Sequence, residues 1–361
     1  MKIAFLNIYN GVVNRGAETF VKELASRLSK NHQVTVFQAG DKVGSERYFV
    51  ERIPINFDWS RKTGAGTFLS LFFLDYWNRL VFIFTLKSVP KIWKERYDIV
   101  VPVNGGFMPA ILRIVTWLYG GKMIISGQSG IGWDDRNNLW CFPDVFVALS
   151  EKAKNWAKKA NPFVKVVEIA NGVDLEKFKL KTQKSKVKNK FKTVLAVGAF
   201  VKSKRLELAI EAVSRLKDAK LVIAGGGGDK KQEIIDYGLR ILGKDHFNVI
   251  SIPFEKMPKI YQAADVFTLP SESSEAFGNV LVEAMACGLP VVATDDPIRR
   301  EIVGDAGILV DPTDIDSYAK ALDLALNKDW KNIPRLQAKK FDWDKIAERY
   351  EELFQKNIIK K

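Results

Sequence analysis

The sequence predicts an α/β chain built from two doubly wound, parallel-sheet domains, and three observations carry that prediction. Strand-length apolar runs alternate with helix-period segments throughout. The chain has 361 residues, enough for two domains of ordinary size. One lysine-rich stretch near the middle, 177–192, has neither period.

In the first half, IAFLNI (3–8) reads as a short buried strand, followed by a helix over about 16–30. VTVF (34–37) is the next strand, and 99–103, 123–126 and 145–149 follow. The second half alternates more cleanly, with strands TVLAVG (193–198), KLVIAG (220–225), NVISIP (248–253), ADVFTLP (264–270), LPVVAT (289–294) and GILV (307–310). Each half reads as a Rossmann-type sheet. The expected borders are 1–175, 176–340 and a last helix over 341–361. KFKLKTQKSKVKNKFK (177–192) is expected to be a solvated linker, with a polybasic lipid-binding strip as the alternative. FDWDKIAERYEELFQK (341–356) can place Phe341, Ile346, Tyr350, Leu353 and Phe354 on one helical face. Such a face must pack somewhere, and the first domain is one option.

Composition narrows the function classes. Apolar residues make up 47% and charged residues 27%, a globular balance rather than a disordered or fibrous one. The two cysteines, Cys141 and Cys287, exclude a disulfide framework and a multi-cysteine zinc site. The two histidines, His32 and His246, leave no material for a His-rich metal site and almost none for a triad. A reducing cytoplasm fits, and no leader is visible before the first strand. The most apolar window, 68–86, is near the length of a membrane span but is broken by Asp75, Asn78 and Arg79. A buried or half-buried core helix is the plainer reading, with a membrane-touching surface as the alternative. Net charge is +14, with 25 basic against 16 acidic residues over 1–180 and 31 against 26 over 181–361. That balance suits anionic partners such as nucleotide diphosphates or acidic lipids. The lysine-rich stretch lacks the interleaved aromatics of a nucleic-acid binder, so no nucleic acid is expected.

The chemistry concentrates in SESSEAFGNVLVEAMACGLPVVAT (271–294). A strand should end near Pro270, a loop should hold Glu275 to Gly278, and a helix should run from Asn279 to Gly288. The amides and dipole at that helix start suit a diphosphate. Gly278 lets backbone approach a ligand. Glu275 can meet sugar hydroxyls, and Glu283 can accept from both hydroxyls of a ribose. For a generic pair of glutamates, a helix cap and two surface charges would explain the same residues. Gly225 to Gly228 lacks the G-x-G-x-x-G layout and reads as a tight turn, with a donor-side contact as the alternative. Asp134-Asp135 and Asp295-Asp296 read as loop or helix caps rather than metal ligands.

The longer pattern P-S-x-x-x-E-x-F-G-x-x-x-x-E-A-M-A-C-G-x-P-V-V-A resembles the signature of the retaining family 4 (group 1) glycosyltransferases. Glu275 and Glu283 have the separation of that family's glutamate pair. NRGAETFVKELASRL (14–28) resembles the glycine-rich first loop, with Arg15-Gly16 in place of Gly-Gly. IANGVDLEKF (169–178) resembles the interdomain motif, and VGAFVKSKRLELAIEA (197–212) the donor-phosphate loop. GDAGILVDPTD (304–314) and FDWDKIAERYEELF (341–354) also match, and the resemblance is weakest over about 40–120.

The resemblance implies a GT-B fold: two facing Rossmann-like domains, a central cleft, and a C-terminal helix crossing back to the first domain. It implies a metal-independent hexosyltransferase that needs no cofactor beyond its UDP- or GDP-sugar donor. The acceptor would be a glycan or lipid-linked sugar, and the enzyme would be cytoplasmic or peripheral on the inner face of an anionic membrane. Lys204 and Glu275 would act at the reacting centre, Lys204 on the diphosphate and Glu275 on the sugar. Arg15, Gly16, Gln128, Gly198, Lys202, Phe277, Gly278, Asn279, Val280 and Glu283 would line the substrates. Two positions depart from the family pattern. Ala199 stands where an Arg is usual, with Lys202 or Arg205 available to replace its charge. Gln128 stands near the usual cleft His. A phosphate oxygen that takes the acceptor proton would need no enzymatic base. A GT-B sugar-nucleotide epimerase and a weakly active glycan- or partner-binding subunit are the alternatives.

Overall fold

The computed structural model describes residues 1–41, 47–61, 68–179, 191–273 and 275–358. Most of the lysine-rich stretch 177–192 therefore lies outside the described residues. Two compact units emerge, Met1–Asn171 with Trp343–Lys361, and Gly172–Asp342. The expected borders stood at 175 and 340, a few residues from these.

The first unit holds seven strands: β1 (Lys2–Leu6), β2 (Gln33–Gln38), β3 (Phe49–Arg52), β4 (Ile99–Pro102), β5 (Lys122–Ser126), β6 (Val145–Ala148) and β7 (Val166–Glu168). Their order is β3-β2-β1-β4-β5-β6-β7, and all pairs are parallel. The second unit holds β8 (Lys192–Val197), β9 (Ala219–Ala224), β10 (Phe247–Ile250), β11 (Val266–Leu269), β12 (Val291–Thr294) and β13 (Gly307–Val310). Its order is β10-β9-β8-β11-β12-β13, again all parallel. Both sheets reverse direction beside their first strand, between β1 and β4 and between β8 and β11. In open α/β sheets that switch point is where ligands settle.

Period two sorts each strand's side chains between two helical layers. In β1, Ala4 and Leu6 enter one core while Ile3 and Phe5 enter the other. The second of these cores is closed by the last helix, Trp343–Ile358, which lends it Trp343, Ile346, Tyr350, Leu353 and Phe354. Phe20 packs against both Trp343 and Tyr350, with ring centroids 6.3 and 5.7 Å away.

Two departures from expectation concern the 68–86 window and the sheet edges. The window is two helices, Phe68–Leu71 and Tyr76–Glu95. Asp75 does not sit on a helical face; its carboxylate caps the second helix by accepting from the amides of Trp77 and Asn78. Only one face of that helix is core, through Leu80, Val81, Phe84 and Ile92, which makes it a half-buried core helix. The edge strands β3 and β7 were not anticipated. Both are only half-buried and lack the continuous apolar run of the central strands.

Candidate functional site

At the second unit's switch point, the loops leaving β8 and β11 come together. The first carries a single turn of 3₁₀ helix, Lys202–Lys204, and the second carries Glu275. Lys204 Nζ donates to Glu275 Oε2 at 2.5 Å, and both side chains are about a fifth to a quarter exposed. The stem of Lys204 lies 3.6 Å from where a Cβ on Gly198 would stand, so Gly198 leaves open the groove in which the lysine runs. Lys202 is exposed on the same turn, and Ala199 is exposed beside it.

Helix Asn279–Ala286 begins behind this pair. Gly278 is its N-cap with φ +84°, a left-handed conformation that only glycine adopts cheaply. The first amides of a helix have no carbonyl of the helix behind them, and the helix start after Gly278 turns that end toward the loop. Together with Lys204, the dipole of that helix start makes a positively biased place for an anion. Phe277 is buried and packs edge-on against Phe341 at 5.7 Å. Its ring anchors the loop, so what Phe277 can offer a substrate there is its backbone.

Two arginines hold the loops in place. The Arg205 guanidinium donates to the carbonyls of Pro270 and Ser271 at 2.7 and 3.1 Å and to Thr294 Oγ1 at 3.2 Å. It is a tie beneath the loop, while Lys202 is the exposed cation on the turn beside Ala199. Arg299 is only 2% exposed and pairs with Asp296. It also donates to Ser271 Oγ at 2.5 Å and to the Glu272 carbonyl at 3.0 Å. The glycine run braces the other side. A Cβ on Gly225 would fall 2.0 Å from the Gly198 carbonyl oxygen, so the turn after β9 can lie against the donor loop only with glycine there.

Glu283 lies within the helix, 7% exposed. Tyr261 donates its hydroxyl to Glu283 Oε2 at 2.8 Å, and Phe178 packs on the Tyr261 ring at 5.9 Å. Burial holds the carboxyl up at about 7, against the lowering effects of the tyrosine bond and the Lys177 charge. In the unfolded chain it titrates near the usual ~4.3. A carboxyl raised in this way penalises the fold increasingly as pH climbs from the unfolded value to about 7, and by a constant amount above that. Glu283→Gln should therefore stabilise the ligand-free protein by about 1–3 kcal/mol at pH near 8 and hardly at pH near 4. Urea unfolding at the two pH values checks this, and equal shifts at both would contradict it.

In the first unit, Arg15 and Gly16 stand at the start of helix Gly16–Leu28. Glu18, 3% exposed, accepts from the Arg15 amide at 3.1 Å and from Asn7 Nδ2 at 3.3 Å. The Arg15 guanidinium covers the Tyr9 ring at 4.8 Å. The Ile8 amide donates to Asn104 Oδ1 at 2.9 Å, tying the loop after β1 to the loop after β4. Gln128 is drawn into a chain of partly buried bonds. Its Nε2 donates to Ser126 Oγ and Asn171 Oδ1 at 2.9 and 3.0 Å, and its Oε1 accepts from Asn171 Nδ2 at 3.0 Å. Ser126 Oγ in turn meets the Tyr350 hydroxyl at 3.1 Å. Both amide donors of Gln128 are committed in this way, which fastens it to Asn171 and, through Ser126, to the last helix and leaves its carbonyl oxygen one further acceptor position.

The acidic pairs are engaged locally. Asp295 binds Arg300, and Asp296 caps helix Pro297–Val303. Asp135 is buried and bonded to Asn138, and burial holds its carboxyl up at about 7. Among the described residues, no group of three His, Cys, Asp or Glu side chains could hold a metal ion.

Two parallel sheets with ligand-side loops at their switch points define a two-domain protein of the GT-B class. The Anabaena HepE crystal structure in complex with UDP and glucose shares the fold, with a TM-score of 0.80 at 18% identity, over 99% of this chain and 100% of that one. The family model for glycosyl transferases group 1 matches residues 177–349, and that for Glycosyltransferase Family 4 matches 14–177. The chain belongs to the group 1, family 4 glycosyltransferases. Among curated relatives, it is 36% identical over 187 residues to the N-acetylgalactosamine-N,N'-diacetylbacillosaminyl-diphospho-undecaprenol 4-alpha-N-acetylgalactosaminyltransferase of Campylobacter jejuni. It is 31% identical over 222 residues to the phosphatidyl-myo-inositol mannosyltransferase of Mycobacterium tuberculosis. The matches cover 49% and 56% of this chain, and the chain spans about half the length of those relatives, 50% and 56%.

Proposed function

We propose that the chain moves a hexose from a UDP- or GDP-sugar to a glycan or lipid-linked acceptor, with retention of configuration and without a metal. The observation that carries this reading is the meeting of Lys204 and Glu275 in front of the helix that starts at Gly278. Lys204 would leave Glu275 for the donor diphosphate and, with the first-turn amides, stabilise the charge that grows on the leaving nucleotide. That charge is met by ammonium and amides, which is why we assign no metal. Glu275, released from the lysine, would accept from sugar hydroxyls. Glu283 would take the ribose hydroxyls. The UDP and glucose held by HepE support the donor class, and the undecaprenol and phosphatidylinositol in the relatives' names support a lipid-linked acceptor. We place the reaction on the cytoplasmic side, at the membrane's inner face.

The direct test incubates the protein with a panel of UDP- and GDP-sugars and follows nucleotide release and stabilisation on heating. At least one donor should raise the melting temperature, and Glu283→Ala should weaken that donor's binding. Affinity should also fall as pH drops below about 7, because a protonated Glu283 accepts poorly from a diol. Silence across the whole panel would sink the transferase reading.

A further inference from the structure

Exposed large apolar side chains crowd one part of the first unit. Along helix Tyr76–Glu95 the exposed face carries Phe82, Ile83, Leu86 and Trp93, at helical spacing. Helix Met108–Tyr119 exposes Ile114, Trp117 and Leu118, with Trp117 at 71%. The two helices pack side by side. Phe82 meets Phe107 edge-on at 5.8 Å at one end, and Trp93 meets Tyr119 at 6.2 Å at the other. Ring contacts at both ends thus join the two stripes into one face about 16 Å long, eleven residues at 1.5 Å each. Monomeric proteins rarely leave so continuous an apolar surface uncovered.

The charges on this face have one sign. Arg79, Lys87 and Lys94 share the exposed side of helix Tyr76–Glu95, interleaved with the apolar residues, and helix Met108–Tyr119 contains no acidic residue. Long basic side chains can extend to a headgroup layer while their stems lie on apolar ground, and tryptophan favours the same depth. The stretch Phe68–Glu95 is apolar and long enough to cross a membrane by composition. It cannot do so in this fold, because its other face supplies Leu80, Val81, Phe84 and Ile92 to the sheet's core. A helix buried on one side and both greasy and basic on the other lies along a bilayer rather than through it.

We propose that this two-helix face docks on an anionic phospholipid bilayer, with Trp117, Leu118 and Leu86 entering the acyl boundary and Arg79, Lys87 and Lys94 meeting the headgroups. The inference deepens the proposed use of a lipid-linked acceptor but stands on separate residues. It is tested by sedimenting the full chain with phosphatidylcholine vesicles that contain or lack phosphatidylglycerol. The protein should pellet with the anionic vesicles and be released by salt. Trp117→Glu with Leu118→Ser should cut partition about tenfold or more, and Lys87→Glu should cut it roughly fivefold or more, for anionic vesicles only. Heat stabilisation by the donor sugar reports on the second unit and serves as the folding control. If the vesicles bind while no donor stabilises, the docking face stands and the transferase reading falls. Absence of binding to anionic vesicles, or binding that both variants leave unchanged, would overturn the proposal. So would a dimer in light scattering that Trp117→Glu dissolves without any vesicle binding, since the face would then belong to a second copy.

Discussion

Lys204→Ala should lower kcat about 10²–10³-fold, the usual loss when one preorganised donor to a developing negative charge is removed. Its melting temperature should change little, because the side chain lies on a half-open loop and its one carboxylate partner, Glu275, is itself partly exposed. The pairing also predicts the shape of a double-mutant cycle. In the free protein Glu275 holds Lys204 at 2.5 Å, so Glu275→Gln removes an interaction with sugar and a competitor for the lysine at once. Lys204→Ala with Glu275→Gln should therefore be less damaging than the two single losses combined. Steady-state kinetics on the donor identified by the panel decide the matter, and full additivity would mean that the two residues do not share a site.

Arg299→Ala should cost about 3–5 kcal/mol of stability, the range for breaking a buried charge pair from one side. The substitution strands Asp296 and removes the donors that reach Ser271 and Glu272. Those two residues begin the loop that carries Glu275, so the variant should also lose donor affinity under conditions where it stays folded. Urea midpoints give the first effect and donor-dependent heat stabilisation the second. A stable Arg299→Ala protein that binds donor normally would show that the buried arginine is dispensable to the loop. Arg299→Met should fall between the wild type and the alanine variant, since it refills the volume but leaves Asp296 without its ion pair.

Much of the fold was legible because central strands in parallel sheets are apolar on both faces. That is why β1, β4, β8, β9, β11 and β12 stand out as unbroken runs. The edge strands β3 and β7 face water on part of their surface and mix charge with valine, so the signal thins there. Gly278 and the helix after it were legible from local chemistry, glycine before an apolar helix. The closeness of Lys204 and Glu275 was not local, and only the family resemblance pointed to it. Arg299 gave no sign of its role, and Arg205 stood out only as a spare charge near the donor loop, since an arginine at a helix start normally reads as solvated. Gln128 is the instructive case. Its place was found, but its partners Asn171 and, through Ser126, Tyr350 are 43 and more than 200 residues away in sequence. No reading of a window around Gln128 could show that its amide was already spoken for.

The last helix sets an order of assembly during synthesis. Met1–Asn171 leaves the ribosome before the rest of the described chain, yet its core lacks Trp343, Ile346, Tyr350 and Phe354 until the last helix emerges. Gly172–Asp342 is contiguous and can close as soon as it emerges. At ordinary elongation rates the early sheet waits roughly ten seconds or more with one layer missing. The nascent N-terminal half is thus the species that a chaperone would meet, and a premature stop just before Trp343 would release it permanently unfinished.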